Sequence, residues 1–166
     1  MEKRKRSIPF TKILIPVDFS SYSQEAIDYG SVIGKKFNAG IILMHVIEAL
    51  PYSVTDSLAI IGHRRALETI AKSLLQNLSE ILREKEVSVS TFLARGAPHR
   101  EILRKAERER VDLIVMGTHG RTGLEHLVLG SVAEKVVRLS ACPVLTVRLS
   151  PASVKSKPSR RPRASR

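Results

Sequence analysis

Tryptophan is absent, cysteine occurs once, and aromatic residues make up only 4% of the chain. The lone thiol, Cys142, excludes an internal disulfide and any multi-cysteine metal cluster, which fits a reducing cytoplasm. At 166 residues the chain buries roughly 70% of its unfolded surface, so a core forms without such staples. No apolar run approaches the roughly 18 residues of a membrane span, so no span is expected. The run Lys3-Arg4-Lys5-Arg6 has the charge of a signal-peptide end. The apolar stretch after it, Ile13 to Val17, is too short and runs into Pro16 and Asp18, so no signal peptide is expected.

Several chemical signatures are missing too. No G-x-x-x-x-G-K-[ST] and no G-x-S-x-G occurs. His45, His63, His99, His119 and His126 are scattered without a metal-ligand spacing such as H-E-x-x-H, and structural or surface roles are expected for them. No metal site formed by the protein alone is expected.

What is abundant is positive charge, +12 in all, and it is unevenly placed. Residues 1–6 carry +3 and residues 155–166 carry +6, leaving +3 on the long middle. Three segments follow: a basic arm over 1–9, a folded domain over 10–149 and a basic tail over 150–166. The tail holds Lys, Arg, Ser and Pro without an apolar run, so disorder is expected of it. Release of counterions on binding nucleic acid is one use for such charge. The tail has no aromatic residue for base stacking, and solvation is the competing reading.

Along the middle, short apolar runs alternate with amphipathic patterns. Strands are read at 12–17, 41–47, 87–93, 111–116 (interrupted by Asp112) and 143–148. Helices are read from Ser21, capped with Gln24, with Ala26, Tyr29, Ile33 and Phe37 on one face. A longer helix covers 64–85, with Leu67, Ile70, Ala71, Leu74, Leu78, Ile81 and Leu82 as its stripe. Gly96-Ala97-Pro98 turns into a short third helix, and the last spans about 131 to 139. Near-continuous apolar strands alternating with helices predict an α/β fold, a parallel sheet covered on both faces.

Four of the nine glycines, Gly117, Gly120, Gly123 and Gly130, lie between the fourth strand and the last helix. Strand, glycine loop and helix start is an arrangement that turns backbone N–H groups toward a phosphate, so a nucleotide site is expected here. Positive φ and close ligand approach are the two uses glycine offers. Ser131 and Glu134 fit a capping box, which serves the helix end with or without a ligand. If the winding reverses between the first and fourth strands, Asp18 and Gly117 face each other across the crevice. Asp18 is open to two readings, a ligand contact or a local bond to Ser20 and Ser21. Arg121 is either a phosphate partner or a solvated loop residue.

Gly117-x2-Gly120-x9-Gly130-Ser131, together with VDLIVMGTHGRTGL, LGSVAEKVVR, CPVLTVR, Pro16-Val17-Asp18-Phe19-Ser20 and LMHVIE, resembles the universal stress protein family over about 10 to 148. The resemblance implies a doubly wound five-stranded parallel sheet of order 3-2-1-4-5, Rossmann-like, with helices on both faces. It implies ATP, with Mg2+. Asp18 would meet the ribose or, through metal, the phosphates. Val17 and the main chain of Val46 would border adenine, and Gly117, Gly120, Gly130 and Ser131 would hold ribose and phosphates. Pro16, Met116, His119, Arg121 and Val132, adjoining these positions, complete the candidate site. A cytoplasmic stress-response role and a homodimer are implied as well. The final strand, Pro143 to Arg148, is expected as the seam because an unpaired edge invites pairing. No base for phosphoryl transfer is nominated, so a nucleotide-dependent regulator or protein-binding module without rapid turnover is expected. A slow ATPase and a nucleic-acid-associated protein are the alternatives, and the protein partner is unknown.

Overall fold

A computed structural model of the chain describes residues 10–48, 58–120 and 129–149, with the second helix's side chains described from Arg65 onward. The arm, residues 49–57, the loop 121–128 and the tail lie outside the described residues. The elements alternate as expected: β1 (Lys12–Pro16), α1 (Ser21–Phe37), β2 (Gly40–Ile47), α2 (Leu58–Glu84), β3 (Val89–Arg95), α3 (Pro98–Glu109), β4 (Leu113–Gly117), α4 (Ser131–Leu139) and β5 (Val144–Val147). All pairings are parallel, and the strand order is 3-2-1-4-5. The fold and order implied by the resemblance are the ones observed.

Side chains alternate across a strand, and each face of this sheet is buried under two helices. Ile13, Ile15, Ile41, Leu43 and Val115 pack with Ala26, Ile27, Leu75 and Leu82 of α1 and α2. Leu14, Ile42, Met44, Ile114 and Met116 pack with Ile102, Ala106, Ala133 and Val136 of α3 and α4. β1 lies at the centre of the sheet, and Ile13, Leu14 and Ile15 have no exposed surface.

Three expectations are corrected. The buried face of α1 is Ser23, Ala26, Ile27, Gly30, Ser31 and Gly34, while Tyr29 and Phe37 are exposed. Small residues let the helix backbone settle onto the sheet, and a Cβ at Gly30 would stand 2.4 Å from Ile15 Cδ1. The cap of α1 is Ser20, whose Oγ accepts from Ser23 N at 3.3 Å, so the Ser21–Gln24 box does not form. On α2 the core takes Ala71, Leu75, Ser79 and Leu82, whereas Leu67, Ile70, Leu74 and Ile81 are exposed. Leu75 was missed because it is one position from Leu74, and hydropathy alone does not tell which of two adjacent leucines faces in.

Asp112, read as an interruption, joins the entrances of two strands. Its Oδ2 accepts from Thr11 N at 2.8 Å, Thr11 Oγ1 at 2.7 Å and Lys12 N at 2.9 Å. The Thr11 hydroxyl bond, with those from the two backbone amides, holds its pKa below the ordinary carboxylate value despite partial desolvation. A depressed folded pKa contributes stability that is full above the unfolded value near 3.9 and lost as pH falls through the folded value. Asp112→Asn should therefore lower stability by about 1–2 kcal/mol at pH 7, discounted for solvent exposure. In urea titrations the gap from wild type should narrow below about pH 4. A gap that stays constant from pH 7 to pH 2.5 contradicts this role.

Candidate functional site

The winding reverses between β1, which turns toward β2 on one side, and β4 on the other. In such sheets the crevice outside the carboxyl ends of these strands is the ligand position. Two loops with unusual geometry meet there.

The first leaves β1. Val17 N donates to Met44 O at 2.7 Å, which carries the ladder one residue past β1 and sets Asp18 at the sheet's edge. Phe19 then adopts φ 63, left-handed backbone that a bulky residue rarely takes. Its ring lies 4.6 Å from that of His45, and His45 Nδ1 bonds Val17 O at 2.7 Å, so that nitrogen carries the proton. The turn brings Ser20 N and Oγ within 3.1 and 2.5 Å of Asp18 Oδ1. Of the local reading, the bond to Ser20 forms, and it engages one oxygen. Its other oxygen, Oδ2, points across the crevice, 2.9 Å from where a Cβ on Gly120 would sit.

The second loop leaves β4. A Cβ at Gly117 would stand 2.8 Å from Tyr22 Cβ and 3.0 Å from Tyr22 C and O. Thr118 is buried, and its carbonyl accepts from Gly130 N at 2.8 Å, which ties the loop's start to its end. A Cβ at Gly130 would come within 3.3 Å of that same oxygen. None of Gly117, Gly120 and Gly130 has positive φ. Of the two uses of glycine, close approach is the one this loop needs, and in each case the approaching atoms belong to the chain itself.

Gly130 is also the cap of α4, with φ −68 and ψ 154, and it offers no side-chain acceptor to the first turn. Ser131 is the first helical residue, so the Ser131–Glu134 box does not form; Glu134 reaches Arg138 at 3.6 Å instead. This leaves a helix start whose cap supplies no oxygen of its own, next to an acidic wall at Asp18. Helix starts of this kind attract anions.

The other candidate residues divide. Val17 and Met116 are core side chains on opposite faces of the sheet. Val46 lies on the Met116 side, so the side chains of Val17 and Val46 do not share one wall. Pro16 ends β1, pairing with Met44. Val132 packs against the core while Ser131 is exposed. His119 borders the crevice, its ring 5.2 Å from that of Tyr22. Arg121, Gly123 and His126 lie outside the described residues. Sequence reasoning missed Tyr22 and Thr118 as contributors; a tyrosine in the first turn of a helix and a threonine after a strand carry no signal of their own. His99 lies in the first turn of α3, where burial and then Lys135 hold its pKa below the ordinary value. Among the described residues no group of three or more His, Cys, Asp or Glu side chains is placed to hold a metal.

A family model described as the universal stress protein family matches residues 9–148. Universal stress protein MJ0531 of Methanocaldococcus jannaschii is 37% identical over 142 residues, covering 84% of this chain and 82% of that protein. The solved structure of protein MJ0577, from the same organism, superposes with a TM-score of 0.76 at 33% identity, covering 86% of this chain and 98% of that one. Two more distant structures share the fold. One is a universal stress protein in complex with cAMP (TM-score 0.66, 21% identity, 86% and 99% covered). The other is an Archaeoglobus fulgidus universal stress protein in complex with dAMP (TM-score 0.59, 20% identity, 83% and 98% covered).

The glycine geometry separates two substitutions. Gly117→Ala meets helix backbone and should cost about 1–3 kcal/mol in urea unfolding. Gly120→Ala meets the end of one side chain and should cost less than half as much. Equal losses, or a larger loss at Gly120, contradict the packing described.

Proposed function

Because the chain belongs to the universal stress protein family, we propose that its β1–β4 crevice binds an adenine nucleotide, ATP foremost, and that occupancy regulates a partner surface rather than driving turnover. The observation that carries this reading is the start of α4. Gly130 caps it without a side-chain oxygen, Gly120 and Gly130 let the loop close against Asp18 and Thr118, and Asp18 Oδ2 is directed at Gly120. Backbone N–H groups with the positive end of the helix dipole suit phosphate. The cAMP and dAMP complexes of the distant family members support an adenine nucleotide as the class.

Asp18 takes the ribose hydroxyls or a phosphate-bound Mg2+ in this proposal. As the acidic side chain at the crevice it fits either role, and the metal would come with the phosphates. Phosphoryl transfer needs a positioned nucleophile and stabilised charge at the transition state. Asp18 is already held by Ser20 at one oxygen, so it does not serve as a freely positioned base. The site therefore favours retention of ATP over rapid hydrolysis. The cytoplasm is the proposed compartment; no helix among the described residues is long and apolar enough to cross a membrane. β5 ends the sheet, which makes Pro143 to Arg148 the proposed homodimer seam.

Calorimetric titration tests the site. Wild type should bind ATP saturably. Gly130→Asp, which adds bulk and negative charge at the helix start, should weaken binding at least about tenfold, or roughly 1.4 kcal/mol. Ser131→Ala should weaken binding while leaving the unfolding midpoint unchanged, because Ser131 is not the cap. No binding at millimolar ATP contradicts the proposal. For the seam, sedimentation at micromolar protein should give a dimer that Thr146→Pro reduces to monomer; monomer in the wild type with and without ATP contradicts it.

A further inference from the structure

The exposed apolar side chains of α2 border a groove that the fold leaves open. Two cavities of about 510 Å3 each lie along the α1–α2 side, the nearer one reaching Phe19 and Ser20 of the loop that carries Asp18. They adjoin at Asp28, and together they make a channel beside α1 whose lining runs from Phe19 to Lys35. At helical rise this is about 24 Å long. The near half is floored by Ile27, Leu74, Leu78 and Ile81, with Glu25 and Asp28 on its rim. Leu74 and Ile81 keep 39% and 49% of their surface exposed, more than a settled core allows. In the far half Glu84 and Glu86 join Asp28, together with Lys35 and Lys85. Lys35 is already engaged, 3.0 Å from Glu86 and bonded to Lys85 O. The channel thus has an acidic excess of two on a chain whose net charge is +12.

The described chain ends inside this channel. Leu149 lines its near half, and the next 17 residues, 150–166, follow directly from it. Extended, 17 residues span about 56 Å, more than twice the length needed. Their order matches the channel. Pro151, Ala152 and Val154 come first, where the floor is apolar, and Lys155, Lys157, Arg160, Arg161, Arg163 and Arg166 come after, where the acids lie. No acidic residue occurs after Leu149.

We propose that the α1–α2 channel is the docking site of this chain's own basic C-terminal segment, residues 150–166. Val154 and its small neighbours cover Leu74, Leu78 and Ile81, and the cations lie along Asp28, Glu84 and Glu86. This replaces a freely solvated tail by an intramolecular ligand, held at the high effective concentration that a short tether gives. Phe19 and Ser20 form the channel's near end, so the docked segment abuts the loop that carries Asp18. The docking requires no nucleotide and stands apart from the proposal for the crevice.

A paramagnetic label on the full chain tests this. Cys142→Ser removes the native thiol, and Ser159→Cys places the label in the segment, with Ser165→Cys as a second position should the first perturb docking. The expected result is selective loss of amide signal for residues 24–35 and 74–86. Signal should return in 1 M salt, where the screening length falls to about 3 Å, and in the Asp28→Lys/Glu84→Lys variant. No selective loss from either label overturns the proposal, as does loss on another face of the molecule. Loss seen only between labelled and unlabelled copies in a mixed sample assigns the channel to a second chain and overturns docking in cis. Loss that persists in both salt and the charge variant overturns recognition by charge.

Discussion

The carboxyl edge of the sheet depends on how closely α1 approaches β1 and β4. Gly30 rests over Ile15, and Gly117 lies against the Tyr22 main chain, with no room for a Cβ at either contact. That approach fixes where α1 begins. The start of α1 in turn fixes the left-handed turn at Phe19, the bond from Ser20 to Asp18 and the direction in which the free Asp18 oxygen points. The crevice is therefore a consequence of helix–sheet packing. Glycines that look like a ligand motif in the sequence are first of all what lets three chain segments converge.

This explains which features were legible in the residues. Apolar runs marked β1, β2, β4 and β5, because strands buried on both faces must be apolar almost throughout; β3, at the sheet's edge with Ser90 and Thr91 exposed, was legible from its alternation instead. The strand order did not follow from those runs; it came from resemblance, and the observed pairing agrees with it. Helix faces were harder. On α1 the core side carries serines and glycines while Tyr29 and Phe37 look outward, so hydropathy selects the wrong stripe where close packing matters more than apolar area. Both capping boxes misled for a related reason. A Ser at the right spacing from Gln or Glu shows that a cap is possible, but the residue before it, Ser20 or Gly130, is the one with extended backbone.

Charge was the other feature that a total conceals. The net value of +12 suggests a polyanion as partner, yet the charge is concentrated in residues that flank a body near balance. Within that body Asp112 ties β1 to β4 at the amino edge, and Asp18 faces the glycine loop at the carboxyl edge. Two carboxylates at opposite ends of the same pair of strands thus do different work. The first has its oxygen saturated by backbone and hydroxyl donors, and the second keeps one oxygen directed into the crevice.

In the proposed reading the start of α4 and the Asp18 loop form one nucleotide site. Backbone amide spectra of isotope-labelled protein titrated with ATP and Mg2+ test it most directly, because they read each wall separately. Saturable shifts are expected at Gly120, Gly130, Ser131 and Val132, and at Asp18 and Phe19, with a common affinity for both groups. Shifts confined to other elements, shifts at the two walls with different affinities, or none at millimolar ATP would contradict it.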